Sequence, residues 1–351
     1  MKLSLCMIVK NEEKVLERVL SKAKDFADEI IIVDTGSKDA TKYIASKFTD
    51  KIYDFEWCDD FAQARNFSFS KATCEYIIWL DADDVITEEN IKKIVDLKKS
   101  PPQYDIYMFR YQMGFDENDQ PTFEYYRERI LKNNKRYVWR GWVHEAIALQ
   151  GKVGYFDIAI EHRKIETTRD SGRNLKIYQK HIAKGETLDP RAQFYYSREL
   201  YFNNQIDQAI SSFSKFITDG KGYLPNIIDA QLTLSKCYVL KNDLNSAKNI
   251  LIDSMKFSPP NGEICCALGE IYQKQNDISS AIFWYTTSTI CPINMEKGGF
   301  VQKDFYDFIP YIQLSCLYYR IGNKDKFAEY HRKAKALKPT HPNITKNEKF
   351  L

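Results

Sequence analysis

Two aspartates separated by one residue, Asp81 and Asp83, follow the apolar segment 75–80, which is typical of a buried strand. Carboxylates at positions i and i+2 of a strand end can share one divalent cation, and Mg²⁺ and Mn²⁺ prefer hard oxygen ligands. Such a cation can neutralise a diphosphate as it leaves a sugar. The alternative is a solvated turn in which Asp84 or Thr87 caps the next helix.

Two further predicted strands also end in polar residues. Leu3–Val9 is followed by Asn11, and Glu29–Asp34 ends in an acid. In an open α/β sheet, ligands bind outside the carboxyl ends of the strands. We therefore expect Asn11, Asp34 and Asp81 to converge on one cleft.

The first hundred residues alternate short apolar runs with amphipathic segments, which predicts crossover units around a largely parallel sheet. Helices are expected over 13–26, 40–48 and 61–72, and strands over Leu3–Val9, Glu29–Asp34, 51–55 and 75–80. Further strands over 104–112, 129–131 and 146–149 are expected to complete the sheet. The predicted fold of this half is α/β.

The second half of the chain has a helical pattern with an irregular repeat. Aligning Ala209, Ala247, Ala281 and Phe327 places a leucine or tyrosine nine residues earlier each time. The step from 247 to 281 is 34 residues, the period of tetratricopeptide repeats, and flanking steps of 38 and 46 include insertions such as Glu296-Lys297-Gly298-Gly299. These spacings predict stacked helix pairs over 190–340, and an unrelated helical bundle is the alternative.

The 351 residues are enough for more than one core, and we predict an α/β domain at 1–165, a helical linker at 166–189, repeats at 190–340 and a tail at 341–351. A balance of 51 basic and 48 acidic residues argues against nucleic acid as the main partner. The first apolar stretch is short and charged residues follow it, so we expect a strand there and not a signal peptide, and no apolar run is long enough to cross a bilayer. We expect a cytoplasmic protein whose eight cysteines are reduced.

Four motifs, in this order and spacing, resemble those of the family 2 inverting glycosyltransferases, which have a GT-A fold. They are Met7-Ile8-Val9-Lys10-Asn11-Glu12, Ile32-Val33-Asp34-Thr35-Gly36-Ser37-Lys38-Asp39-Ala40-Thr41, Ala64-Arg65-Asn66 and Trp79-Leu80-Asp81-Ala82-Asp83. The resemblance covers residues 1–165. With the repeats, the chain is similar to the subset that includes bacterial glycosyltransferases acting on peptides, such as the glycocin S-glycosyltransferases.

The resemblance implies a nucleotide-sugar site with a divalent metal, Mn²⁺ or Mg²⁺. Glu12 and Asp34 would hold the uracil and ribose of a UDP-sugar, since carboxylates accept hydrogen bonds from hydroxyls and an imide N–H. Asp34 could instead stabilise the turn that follows it. Arg65 would pair with the diphosphate or, alternatively, with Asp59 or Asp60. The remaining donor-site residues would be Asn11, Asp81 and Ala82.

The segment Gly141-Trp142-Val143-His144-Glu145 resembles a Gly-x-Val-His-Glu motif of the same subset. It implies Glu145 as the general base that accepts the acceptor's proton, although His144 is an alternative base or a polar group on the acceptor side. Trp142 would contribute a sugar-stacking wall or belong to the core. His162 would be the third metal ligand, beside Asp81 and Asp83, or a structural histidine. A nearby basic run (Arg127, Arg129, Lys132, Lys135, Arg136 and Arg140) would face the diphosphate, an acidic acceptor or solvent.

These features favour transfer of a hexose or N-acetylhexosamine from a UDP-sugar to a protein or peptide side chain held by the repeats. Repeat arrays form extended concave surfaces that suit chains. A cell-surface glycan or a lipid-linked saccharide is an alternative acceptor. A non-catalytic scaffold is an alternative of a different class. The sequence leaves open the sugar, the linkage and whether the repeats also form a homodimer.

Overall fold

The computed structural model describes residues 1–116, 119–164, 172–293 and 301–349, which form two compact units, Met1–Thr187 and Leu188–Leu351. The first unit therefore extends into the segment 166–189 for which the sequence predicts a linker. Helix Arg173–Ala183 lies there, and its Tyr178 hydroxyl donates a hydrogen bond to the Val143 carbonyl at 3.4 Å. Residues 166–171 of the predicted linker lie outside the described part of the chain.

The first unit combines ten strands with five helices in its described residues. The strands are β1 (Leu3–Val9), β2 (Glu29–Asp34), β3 (Ile52–Asp54), β4 (Tyr76–Trp79), β5 (Asp84–Val85), β6 (Ile106–Phe115), β7 (Pro121–Lys132), β8 (Trp139–Arg140), β9 (Ala146–Ile147) and β10 (Val153–His162). The helices are α1 (Leu16–Ala23), α2 (Thr41–Ser46), α3 (Phe61–Ser70), α4 (Glu88–Lys99) and α5 (Arg173–Ala183).

Eight of these strands form one sheet in the order β3-β2-β1-β4-β7-β6-β10-β5. The pairs β1/β2, β1/β4, β2/β3 and β6/β10 are parallel, whereas β7 is antiparallel to β4 and β6. The order β2-β1-β4 brings the carboxyl ends of three strands together, with Val9 directly beside Asp34. The predicted α/β fold with a mostly parallel sheet is confirmed.

The central strands form because their apolar side chains are buried on both faces of the sheet. Leu5, Ile32 and Ile78 are each fully buried in one core that α1 also covers. Such continuous apolar runs are expected of a parallel sheet covered by helices. The bounds of β1 and β2 are those predicted from sequence.

Three predicted elements differ from the structure. Helix α1 begins at Leu16 and not at 13, because the Glu12 carbonyl accepts the N–H groups of Val15 and Leu16 in a preceding turn. Strand β7 spans twelve residues where three are predicted, since it pairs along most of the neighbouring β6. The predicted strand 146–149 does not join the main sheet, because β9 pairs with β8 in a separate two-stranded sheet.

The second unit is built from successive helix pairs. The helices are α6 (Pro190–Phe202), α7 (Ile206–Asp219), α8 (Leu224–Leu240), α9 (Leu244–Ser254), α10 (Gly262–Lys274), α11 (Ile278–Ser288), α12 (Phe308–Arg320), α13 (Lys324–Leu337) and α14 (Pro342–Glu348). The aligned residues Ala209, Ala247, Ala281 and Phe327 each lie buried on the second helix of a pair. The predicted repeats are confirmed.

Two details of this unit modify the sequence expectation. The segment 341–351 contains α14, whose Ile344 is fully buried, so much of the predicted tail packs on the repeats. The insertion Glu296-Lys297-Gly298-Gly299 lies outside the described residues. Across the described chain, no helix combines the length and apolar character needed to span a bilayer.

Candidate functional site

The acidic turn after β4 is built around Asp84, whose side chain is fully buried. Its Oδ2 accepts the backbone N–H of Asp81 at 3.0 Å and Nη1 of Arg129 at 2.9 Å. Asp84 is therefore not the solvated helix cap of the alternative interpretation. Thr87 caps α4, since its hydroxyl accepts the N–H of Asn90 at 3.4 Å.

Asp83 faces His162, the last residue of β10. Antiparallel pairing of β10 with β5 places His162 opposite Asp84, and the Asp83 Oδ1 lies 3.3 Å from His162 Nδ1. Asp83, Asp84 and His162 offer ligand atoms within 4.8 Å of one another. Burial lowers the pKa of the imidazole, but the hydrogen bonds to Asp83 and Asp84 outweigh it and raise the pKa to about 9. The Asp83 carboxylate is a hard oxygen donor of the kind that Mn²⁺ prefers, and the His162 imidazole is a second candidate ligand.

Asp81 points to a different partner. Arg65 on α3 is buried and donates from Nη2 to Asp81 Oδ1 at 2.8 Å and from Nε to Glu145 Oε1 at 2.5 Å. Burial would raise the pKa of Asp81, but the charges of Arg65 and Arg129 hold it well below its usual value. The pairing of Arg65 with Asp59 or Asp60, the alternative considered from sequence, is replaced by this Asp81–Arg65–Glu145 chain.

Glu145 reaches Arg65 through a tight turn after β8. Asn66 on α3 fixes β8 with two hydrogen bonds to the backbone of Trp139, at 2.8 and 2.9 Å. Gly141 has φ 102° and His144 has φ 54°, a left-handed conformation that is uncommon for residues other than glycine. These two backbone conformations direct the carboxylate of Glu145 back towards α3. The Glu145 side chain is 10% exposed there.

Asn11 and Asp34 meet at the loop after β2. Asp34 is buried and accepts the N–H groups of Gly36 at 3.2 Å and Ser37 at 3.0 Å. Asn11 accepts the N–H of Lys38 at 2.8 Å. The N–H of Glu12 donates to the Thr41 hydroxyl at 2.7 Å, which attaches the same segment to α2. Asp34 thus makes the turn-stabilising contacts of its alternative interpretation, and its contact with a nucleoside stays a prediction.

Two predicted pocket residues are more enclosed than the sequence indicates. The indole of Trp142 stacks on His181 of α5, with ring centroids 4.0 Å apart and planes 6° apart, so one face is covered. The methyl group of Ala82 is buried in the apolar core. Neither contact is evident from sequence, because α5 follows Trp142 by some thirty residues.

Arg129 and Tyr111 are site residues that sequence analysis did not single out in these roles. Arg129 belongs to the basic run that is predicted to face a diphosphate, an acidic acceptor or solvent. Its side chain is instead 0% exposed, and its Cζ lies 4.0 Å from the centroid of the Trp79 ring. Arg127 lies over the same ring at 4.8 Å. The alternation Arg127-Glu128-Arg129-Ile130 is the available signal, since it places both arginines on one face of a strand.

Together, the mostly parallel sheet and the helical repeats that follow it define a GT-A-like domain joined to a repeat domain. A family described as glycosyl transferase family 2 matches residues 4–153, and tetratricopeptide repeat matches 262–289 and 310–341. The chain thus carries a family 2 glycosyltransferase domain and tetratricopeptide repeats, as the motifs predicted.

Relatives match both halves of the chain. Glycosyltransferase SunS of a Bacillus subtilis prophage is 26% identical over 68% of this chain and 58% of its own length. A TPR repeat-containing protein of Synechococcus elongatus is 45% identical over 24% of this chain and 21% of its own length. The chain therefore spans less than two thirds of either relative. Among solved structures, one of S. aureus TarS matches 80% of this chain and 89% of its own chain. The two are 14% identical in sequence, and the TM-score is 0.36.

Proposed function

We propose that this protein is an inverting glycosyltransferase that moves a hexose or N-acetylhexosamine from a UDP-sugar to a protein or peptide side chain. The pairing of Asp83 with His162 at the carboxyl edge of the sheet, beside the Asp81–Arg65–Glu145 chain, is the observation that carries this proposal. Burial and charged partners that shift pKa values are concentrated at functional sites, which favours a ligand-binding role for this edge of the sheet.

Asp83 and His162 are the residues that would hold a divalent metal, Mn²⁺ or Mg²⁺, with Asp81 close by in sequence. When bound, the ion supplies positive charge to the departing diphosphate. Arg65 is a second source of positive charge, but it is already shared by two carboxylates. Its role in the proposed mechanism is to hold the side chains of Asp81 and Glu145 at a fixed separation.

Glu145 is the proposed general base. In an inverting transfer, a carboxylate accepts the proton of the incoming hydroxyl or thiol while that atom attacks the anomeric carbon. The Nε–H of Arg65 bonds to Oε1 of Glu145, and a carboxylate carries a second oxygen that can accept a proton. Asn11, Glu12 and Asp34, at the neighbouring strand ends, are proposed to bind the nucleoside.

The acceptor is proposed to be a polypeptide because the second unit is a tetratricopeptide array. Stacked helix pairs present extended surfaces on which a chain can lie. The test is incubation with UDP-glucose or UDP-N-acetylglucosamine, with Mn²⁺ or with EDTA, followed by analysis of released UDP.

A positive result is UDP release that depends on metal, together with a mass increase of one sugar on a candidate peptide or protein. Absence of both turnover and metal-dependent UDP binding would leave a non-catalytic scaffold. Label found in glycans or lipids, with unmodified protein throughout, would reject the polypeptide acceptor and retain the transferase.

A further inference from the structure

Arg129 is an internal cation that the proposed chemistry does not use. Its guanidinium lies between the rings of Trp79 and Tyr111, at 4.0 and 4.3 Å from their centroids. Nη1 donates to the Trp79 carbonyl at 3.2 Å and to Asp84 Oδ2 at 2.9 Å. Within the described chain, Nε and Nη2 have no hydrogen-bond partner.

A buried ion pair such as Arg129 with Asp84 is energetically unfavourable compared with apolar side chains in the same place. Transfer of two charges out of water can cost more than their attraction returns, and apolar replacements of similar volume are often as stable. Unmade hydrogen bonds of a buried guanidinium add to that cost. The position of Arg129 is therefore better explained by what it holds in place than by a gain in stability.

Tyr111 connects the same carboxylate to the histidine. Its hydroxyl lies 3.0 Å from Asp84 Oδ1 and 2.9 Å from His162 Nδ1. A carboxylate can only accept, so the single phenolic hydrogen goes to Asp84, and the phenolic oxygen accepts a hydrogen from Nδ1. In a neutral imidazole this arrangement leaves the ring's lone pair on Nε2, the nitrogen that is then able to bind a metal.

Asp84 has little capacity left for a metal. Oδ2 accepts from Arg129 and from the N–H of Asp81, and Oδ1 accepts from Tyr111. Its contacts join β6 and β7 to the turn that carries Asp83, and Arg129 adds β4 through the Trp79 carbonyl. Asp84 thus lies at the centre of a fixed frame behind the two candidate ligands.

We propose that Arg129 and Tyr111 are positioning residues that act through Asp84 to hold Asp83 and His162 in the arrangement that binds a divalent cation. In this arrangement, Asp84 anchors the frame and is not itself a ligand. The inference rests on the proposed function only in taking Asp83 and His162 as metal ligands.

The decisive variant is Tyr111→Phe, which removes one hydroxyl and keeps the ring. Its matched control is Tyr107→Phe on the same strand, because the Tyr107 hydroxyl contacts the N–H of Gln103 at 3.2 Å and no site residue in the described contacts. Mn²⁺ binding is measured by the loss of the free-ion electron paramagnetic resonance signal. Loss of an orienting partner typically weakens metal binding by about 10- to 100-fold, and we expect a change of that size for Tyr111→Phe alone.

Arg129→Met provides a second variant, with Arg110→Met as control, since Arg110 pairs with Asp157 at 2.6 Å away from the acidic turn. We expect weaker Mn²⁺ binding for Arg129→Met, unchanged UDP binding in EDTA, and recovery of turnover at saturating Mn²⁺. A general loss of structure would not be rescued by metal. Should Arg129→Met fail to fold, as judged by circular dichroism, Tyr111→Phe decides the question.

The outcomes separate this inference from the proposed function. Wild-type protein that binds no Mn²⁺ would overturn the metal site and the positioning roles together. Wild-type protein that binds Mn²⁺, with Tyr111→Phe and a folded Arg129→Met binding equally well, would overturn the positioning roles alone.

Discussion

The two units of this chain bury polar side chains in different ways. At the strand edge of the first unit, buried charges occur in contact with one another, as Arg129 with Asp84 and Arg65 with Glu145. In the described part of the second unit, the buried acids are Glu199 and Glu263, and the other buried polar groups are mostly small hydroxyls. Ser197 and Ser315, for example, donate to backbone carbonyls within their own helices at 2.8 Å.

Two histidines make the same contrast. Burial lowers the pKa of both imidazoles, but Asp83 and Asp84 near Nδ1 of His162 raise its pKa to about 9, whereas the pKa of His331 on α13 stays lowered. His331 is 1% exposed, and neither ring nitrogen has a hydrogen-bond partner among the described residues. Paired buried charge thus marks the edge where chemistry is proposed, and the repeats are stabilised mainly by apolar packing.

The largest predicted effect is on Glu145→Gln. The amide keeps the shape of the side chain but cannot accept a proton, and general bases typically contribute 10²- to 10⁴-fold to rate. We expect kcat to fall by about that factor while UDP binding stays within about twofold. Initial rates of sugar transfer and calorimetric titration with UDP measure the two quantities.

Glu124→Gln is the matched control for this variant. Glu124 is also buried and lies 3.7 Å from an arginine, Arg110, but it is outside the candidate site. Weakened UDP binding by Glu145→Gln would place Glu145 on the donor side and remove its assignment as the base.

The second prediction concerns Asp83→Asn, which removes a negative charge from the candidate metal site. We expect kcat/KM to fall by roughly 100-fold, about 2.7 kcal/mol of transition-state stabilisation, with a weaker response to Mn²⁺. Asp84→Asn is unsuitable as its control, because Asp84 is fully buried against Arg129. The exposed Asp157→Asn is suitable, and an equal loss of activity in that variant would contradict the assignment.

A third prediction follows from the raised pKa of His162. The folded pKa is about 9 against an ordinary value of 6.5. A histidine whose pKa is raised in the folded state stabilises the fold fully below about pH 6.5, and this contribution is lost as the pH rises through 9. For His162 the contribution to the free energy of unfolding is up to roughly 3 kcal/mol. Hydrogen exchange in EDTA should therefore show more frequent opening of residues 1–187 at pH 9.5 than at pH 6.5.

His162→Gln should remove most of this pH dependence, because glutamine does not titrate. Residues 188–351 provide an internal reference in the same sample. If wild type and variant lose protection equally between these two pH values, the dependence arises elsewhere.

The same contrast explains what the sequence could and could not predict. Strands β1 and β2 were predictable to the residue because continuous apolar runs leave few alternatives for a buried strand. The repeats were predictable because small residues recur where helices pack closely. Asn11 and Asp34 were predictable as neighbours, since they follow adjacent strands.

The tertiary partners of charged residues were not predictable in this way. The spacing of Arg129 in β7 indicates a face of the sheet but not that the face is buried against Asp84. The side-chain partner considered for Arg65, as the alternative to a diphosphate, was Asp59 or Asp60, whereas Glu145 lies 80 residues away. Such pairs depend on which distant segments of the chain come into contact, and a single sequence does not specify those contacts.

The smallest predicted effect tests the repeat side of the comparison. A buried polar group without a partner costs free energy, so His331→Leu should stabilise the second unit by about 1 kcal/mol. Because the folded pKa of His331 lies below 6.5, the wild-type unit should lose stability as the pH falls below that value, when the unfolded chain takes up the proton more readily. His331→Leu should reduce this dependence of stability on acid pH, which is measured by chemical unfolding with hydrogen exchange as the probe.

His341→Leu is the opposing control, since His341 caps α14 by accepting the N–H of Asn343 at 3.2 Å and its loss should destabilise the unit. If His331→Leu destabilises the repeats as His341→Leu does, then His331 makes an interaction as important as those at the strand edge, and the contrast between the two units fails.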